Sequence, residues 1–200
     1  LCIICQDVNV SAARVDRDRR QQILDAAFSR FAQYGFRNTS IDDIARATGI
    51  SRPLVYHHFA NKEEVFRALA GQLHAQVIEQ AVASLDGPGD VAAQVAGALA
   101  AKLGVLETIQ ASEHHDELME TTSRLAGDLA TAATERFDAA LAKRLRAARR
   151  NGELPTRTGE VSITQLVRLL RESASGIAKA ATDDAWRPRV EALTRLALGT

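Results

Sequence analysis

The sequence has no net charge: 25 Lys and Arg stand against 25 Asp and Glu in 200 residues. A domain held on nucleic acid by bulk electrostatics is ordinarily basic, so any such role must come from a local patch. The split along the chain is mild, with ten Lys/Arg and eight Asp/Glu through residue 75, leaving fifteen and seventeen beyond it. Cysteine is almost absent. Cys2 and Cys5 form one C-x-x-C at the N-terminus, without the second pair, the nearby histidines or the β-α-β context that metal or redox chemistry would need. No apolar run approaches the roughly 18 residues of a membrane span, so the chain reads as soluble and cytoplasmic in type, with no membrane partner. No alternating strand pattern occurs. The sequence also lacks G-x-S-x-G, G-x-G-x-x-G, a Walker loop and H-E-x-x-H, which argues against an enzyme and leaves no cofactor to expect.

What is present is helical punctuation, densest between Thr39 and Lys62. Ser40 is a good N-cap with Asp43 three residues on, and Ile41, Ile44 and Ala45 form an apolar stripe. Gly49 stops that helix. Ser51 is placed to cap a second one, and Pro53 falls in its first turn, where a missing N–H does no harm. Leu54, Val55 and Phe59 point one way, which leaves Arg52, Tyr56, His57 and His58 for the other. Asn61 caps a third helix with Glu64 at the capping-box position. A helix, a Gly-containing turn and a second helix is the helix-turn-helix plan.

The residues themselves resemble a known signature. Thr39-Ser40, Ile44-Ala45, Gly49-Ile50-Ser51, Tyr56-His-His-Phe59 and Lys62 are similar to the DNA-binding pattern of TetR-family transcriptional regulators. The likeness extends upstream through Ile23-Leu-Asp-Ala-Ala-Phe28, Phe31 and Gly35-Phe36, and covers about residues 17–67. It implies phosphate contacts from Thr39, Tyr56, His58 and Lys62, with Ser40, Ser51 and His57 also at the DNA face. Base reading falls to exposed positions of the second short helix. Arg52 can pair with guanine, and Pro53 or Leu54 can pack on a thymine methyl. The family position of Arg52 is often a smaller residue or Lys, a departure that bears on this assignment.

Upstream, Ile23, Leu24, Ala27, Phe28, Phe31 and Tyr34 share one stripe and predict a first helix over 16–34, closed by Gly35. Residues 1–15 are expected to form a disordered arm. Leu is the first residue and Met119 the sole methionine, so the start is expected near Val8, Val10 or Val15. Arg14, Arg17, Arg19 and Arg20 either meet DNA or form a solvated helix end. Seven aromatic residues fall in the first third, and only Phe137 and Trp186 in the rest. Large rings let a small domain bury enough area, so most are read as core and Tyr56 as a DNA contact.

From Lys62 a long helix runs to about Leu85, where Gly87-Pro-Gly89 stops it. Asp90 caps an Ala-rich helix to about Gln110, and Ser112 begins a short piece containing Glu113-His-His-Asp-Glu117. The main reading of that cluster is a solvated polar face, because only His114 with Glu117, Glu113 with Glu117, or Asp116 with Glu120 have ligand spacing. Metal binding and a pocket-lining role are the alternatives. Leu125–Arg150 forms an amphipathic helix whose basic end suits a C-terminus. Two last helices carry Ile163, Leu166, Val167, Leu170, Ala174 and Ile177, then Trp186, Val190, Leu193 and Ala197.

The expected fold is all-α: a helix-turn-helix DNA-binding domain over 16–63 (its motif at 40–59) and a helical regulatory and dimerisation domain over 64–200. The resemblance implies a homodimer through the last two helices, a near-palindromic double-stranded operator and a repressor released by a small-molecule inducer. With few rings past residue 67, a pocket among the helices between about Leu69 and Ile177 would be aliphatic, suiting an apolar, non-planar ligand. The alternative is a DNA-binding dimer without a small-molecule ligand, organising the chromosome or sensing a protein partner.

Overall fold

The computed structural model describes residues 3–110, 112–155, 161–181 and 185–199, with side chains from Arg14 onward except those of 105–110. Among the described residues every regular element is a helix: α1 (Ile3–Tyr34), α2 (Ile41–Thr48), α3 (Arg52–His58), α4 (Lys62–Ser84), α5 (Val91–Gln110), α6 (His115–Arg150), α7 (Ile163–Ala180) and α8 (Trp186–Leu198). None is long and apolar enough to cross a membrane.

The punctuation acts where the sequence places it. Gly35 and Gly49 take φ of 78° and 68°, left-handed conformations that only glycine adopts without strain, and each closes a helix. Ser40 accepts from the Asp43 amide at 3.2 Å while the Asp43 carboxylate accepts from the Ser40 amide at 2.9 Å, a complete capping box. Asn61 accepts from the Glu64 amide at 2.8 Å. Asp90 accepts from the Ala93 amide at 2.8 Å and so starts α5.

The start of α1 and the cap of α3 differ from the sequence reading. α1 begins at Ile3 rather than residue 16, so helical backbone enters the stretch set aside as an arm; no Pro or Gly lies between Ile3 and Tyr34 to stop it. Residues 1 and 2 lie outside the described residues. The short piece from Ser112 and the helix from Leu125 both fall within α6, whose helical backbone is interrupted at Ala126 (φ −139°, ψ 18°), beside the division read from the sequence. The cap at Ser51 is absent: its side chain makes no capping bond, and only its backbone carbonyl takes part, accepting from Leu54 at 2.9 Å and Val55 at 3.1 Å.

The chain divides into two compact units, Leu1–Gln72 with Ile109–Gly127, and Leu73–Thr108 with Asp128–Thr200. This is not the expected break at residue 63. The first turns of α4 supply Val65, Phe66 and Leu69 to the first core, and residues 112–125 bond to the same unit. In that unit Phe31, Phe36 and Phe66 form a ring cluster with centroids 5.2 to 5.6 Å apart. Such pairs add to area burial in a domain of short helices. The core of the second unit is aliphatic: Leu99, Leu141, Leu145, Leu170 and Leu198 are each at most 1% exposed, joined by Phe137 and Trp186.

Candidate nucleic-acid interface

Two anchors fix α3 on its unit. Val55 and Phe59 are 0% and 1% exposed, and the Arg20 guanidinium lies 4.9 Å from the Phe59 ring centroid. With one face of a seven-residue helix buried, the other must face outward. Arg52, Pro53, Tyr56 and His57 are exposed, as are Ser40 and Ser51, while Leu54 is half-buried. Tyr56 is 43% exposed, and Tyr34, read as part of the core stripe of the first helix, is 41% exposed as well.

Three of the implied phosphate contacts sit differently. Thr39 is only 2% exposed, and its hydroxyl donates to the Gly35 carbonyl at 2.7 Å. Its side chain therefore satisfies the C-terminal end of α1, a use hidden in sequence because the partner carbonyl is backbone. The His58 side chain is 4% exposed, its Nε2 3.7 Å from Asp16 Oδ1 and without a hydrogen-bond partner. His58 thus joins Val55 and Phe59 on the inner face instead of remaining open beside His57. Lys62 turns its ammonium onto the α1–α2 connection, donating to the Phe36 carbonyl at 2.7 Å. Burial pushes its pKa down, against the pull of Glu63, Glu117 and Asp43.

Arg52 is an exposed cation in the first turn of α3. Its Nη1 donates to Asp42 Oδ2 at 3.2 Å, and its guanidinium carbon lies 5.5 Å from the Tyr56 ring centroid. Hydrogen bonding to Tyr56 and then the charge of Asp42 raise its pKa. An open groove beside these residues is lined in part by Asp42, Arg46, Gly49, Ser51 and Arg52. Arg14, Arg17, Arg19 and Arg20 are all exposed along α1.

Of the 113–117 cluster read as a solvated face, Glu113 and Asp116 are exposed, whereas His114 and Glu117 have partners on the end of α1 and the α1–α2 connection. Ser112 Oγ donates to the Ala32 carbonyl at 2.7 Å, and His114 Nε2 lies 3.2 Å from the Gln33 carbonyl. The Glu117 carboxylate accepts from the Arg37 amide at 2.6 Å, and Arg67 reaches the Leu125 carbonyl at 2.8 Å. The start of α6 is thus fastened to the corner between α1 and α2. The i, i+3 spacing of His114 and Glu117 was the available signal, but their partners are main-chain groups that no side-chain pattern reveals. Among the described residues no three His, Cys, Asp or Glu side chains come together as a metal site.

Residues 23–69 match the model of the "Bacterial regulatory proteins, tetR family". The chain is 36% identical over 72 residues to the HTH-type transcriptional repressor AcnR of Corynebacterium glutamicum, covering 36% of this chain and 38% of that one. It is 44% identical over 52 residues to the HTH-type transcriptional repressor Rv1474c of Mycobacterium tuberculosis, covering 26% and 28%. The match thus spans 38% and 28% of these two relatives, both named as transcriptional repressors. In three dimensions, the fatty acid degradation regulator FadR from Bacillus halodurans superposes with a TM-score of 0.65 at 18% identity, over 90% of this chain and 94% of that one. That likeness is one of fold. The likeness to the tetR family of bacterial regulatory proteins thus lies in residues 23–69, the stretch that holds α2, α3 and the start of α4.

Proposed function

We propose that the protein is a DNA-binding transcriptional repressor that acts as a homodimer on a near-palindromic operator. The observation that carries this reading is α3: Val55 and Phe59 bury one face while Arg52, Pro53, Tyr56 and His57 stay exposed on the other. A short helix so anchored can enter a major groove. Arg52 supplies the guanine-pairing group, and Pro53 or Leu54 the apolar contact to thymine. Ser40, Ser51, Tyr56 and His57 meet phosphate, together with Lys62 when its ammonium swings from the Phe36 carbonyl. Thr39 and His58 act from behind, holding the turn and the inner face of α3.

Two copies would have to reach successive major grooves about 34 Å apart. The dimer face falls on α7 and α8, where Leu169 and Leu196 are 55% and 83% exposed. The inducer is an apolar, non-planar molecule held in the second unit. The core of that unit is aliphatic apart from Phe137 and Trp186, which supports an apolar ligand over a stacked aromatic cation.

Selection of bound duplexes from a random library, followed by footprinting, tests the reading. An inverted repeat with protected grooves one or more turns apart is expected. A protein that enriches no sequence is not this regulator. Fluorescence anisotropy on the selected duplex then screens fatty acyl compounds against cationic dyes. Release by dyes alone overturns the ligand class, and release by nothing favours the ligand-free DNA-binding dimer.

A further inference from the structure

Asp42 and Arg52 belong to different helices and meet across the α2–α3 turn. Arg52 Nη1 donates to Asp42 Oδ2 at 3.2 Å, and Nε lies 3.1 Å from Oδ1. From within α3, one turn on, the Tyr56 ring centroid lies 5.5 Å from the guanidinium carbon. The head group is therefore held by two helices, although the Arg52 and Asp42 side chains are 59% and 49% exposed. The neighbouring Asp43 is committed elsewhere, to the Ser40 cap and to Arg46.

An ion pair this exposed adds little to folding stability. Its effect on the arginine is larger in kind. A free arginine on a seven-residue helix samples many rotamers, and pairing with a base edge must remove that freedom. A carboxylate beside a DNA-reading helix also opposes phosphate, which weakens binding to every sequence. The two effects have opposite signs, and together they favour discrimination over affinity.

We propose that Asp42 is a positioning residue for sequence discrimination, orienting the Arg52 guanidinium for one guanine per half-site while lowering affinity for non-cognate DNA. This rests on the reading of α3 as the DNA-recognition helix. The bland role for Asp42 is a first-turn acid favoured by the α2 dipole. That role predicts a change in thermal stability and none in base preference.

The test uses the full chain and duplexes selected from a random library, with four proteins: wild type, Asp42→Asn, Arg52→Ala and the double variant. Discrimination at each base pair is read by competition against single-base variants, affinity for random duplex is read separately, and thermal midpoints verify folding. Asp42→Asn should reduce discrimination about two- to tenfold, as expected for ordering one long side chain, at the base pair where Arg52→Ala reduces it. Its affinity for random duplex should rise, and in the Arg52→Ala background it should change discrimination no further. Unchanged discrimination in Asp42→Asn, or an equal effect with Arg52 already removed, overturns the proposal while the DNA-binding reading stands. If the wild type enriches no sequence, both fall. Should Asp42→Asn fail to fold, Asp42→Ser in the same competition decides the matter on the same outcomes.

Discussion

The Lys62 ammonium donates to the Phe36 carbonyl at 2.7 Å and stands 4.3 Å from the centroid of the Phe36 ring. One side chain at the start of α4 thus binds both the backbone and the ring of the residue that follows the α1 stop. Phe36 is itself part of the Phe31–Phe36–Phe66 cluster, so the cation seals the corner on which α2 is mounted. Lys62→Ala should therefore destabilise the first unit by about 1–3 kcal/mol, the range for a hydrogen bond from a charged donor with a cation–π contact. Urea unfolding checks this. Where the same ammonium binds phosphate, Lys62→Ala should also lower the salt slope of DNA binding by about one per subunit. An unchanged slope with lost stability would assign Lys62 to the corner alone.

Gly35 gives a sharper test of that corner. Its φ is 78°, and a Cβ there would collide with the Glu117 carboxylate, which already accepts from the Arg37 amide. Gly35→Ala should cost about 1–3 kcal/mol from the left-handed backbone alone. Pairing it with Glu117→Ala should recover the steric part and leave the backbone part. A neutral Gly35→Ala would show that the corner can refold around a side chain.

The second unit should be acid-sensitive through His74. Burial, and then the charge of Lys102, lower its pKa from the ordinary 6.5. The unfolded chain then binds the proton more tightly than the folded one, so stability is full above about 6.5 and declines as pH falls through the lower folded value. Thermal midpoints between pH 7 and pH 5 should fall more steeply in the wild type than in His74→Gln. Parallel curves would remove His74 from the response.

The proposed dimer separates two leucines that look alike in sequence. Leu196 is 83% exposed, whereas Leu170 is 1% exposed in its own subunit's core. Leu196→Glu should give a folded monomer, read by sedimentation, with little operator binding. Leu170→Glu should unfold the second unit, since even Leu→Ala at such a site costs about 2–5 kcal/mol. A folded dimer carrying Leu196→Glu would place the interface elsewhere.

The sequence by itself determined the elements that depend on local chemistry. Glycines with forced backbone angles, Ser40 with Asp43, Asn61 with Glu64, and apolar stripes at helical spacing act within a few residues of chain, and each sits where its pattern predicts. Helix α3 was legible for the same reason, down to the exposure of Arg52 and Tyr56. What only the tertiary structure decided is which polar groups are spent inside. Thr39, His58 and Lys62 match a DNA-contact signature, yet their side chains face the carbonyl of Gly35, Asp16, and the carbonyl of Phe36. The 112–117 segment read as a solvated face because its partners, the carbonyls of Ala32 and Gln33 and the amide of Arg37, carry no sequence signal. Backbone groups are the same at every residue, so their pairing with distant side chains becomes visible only when the chain is folded.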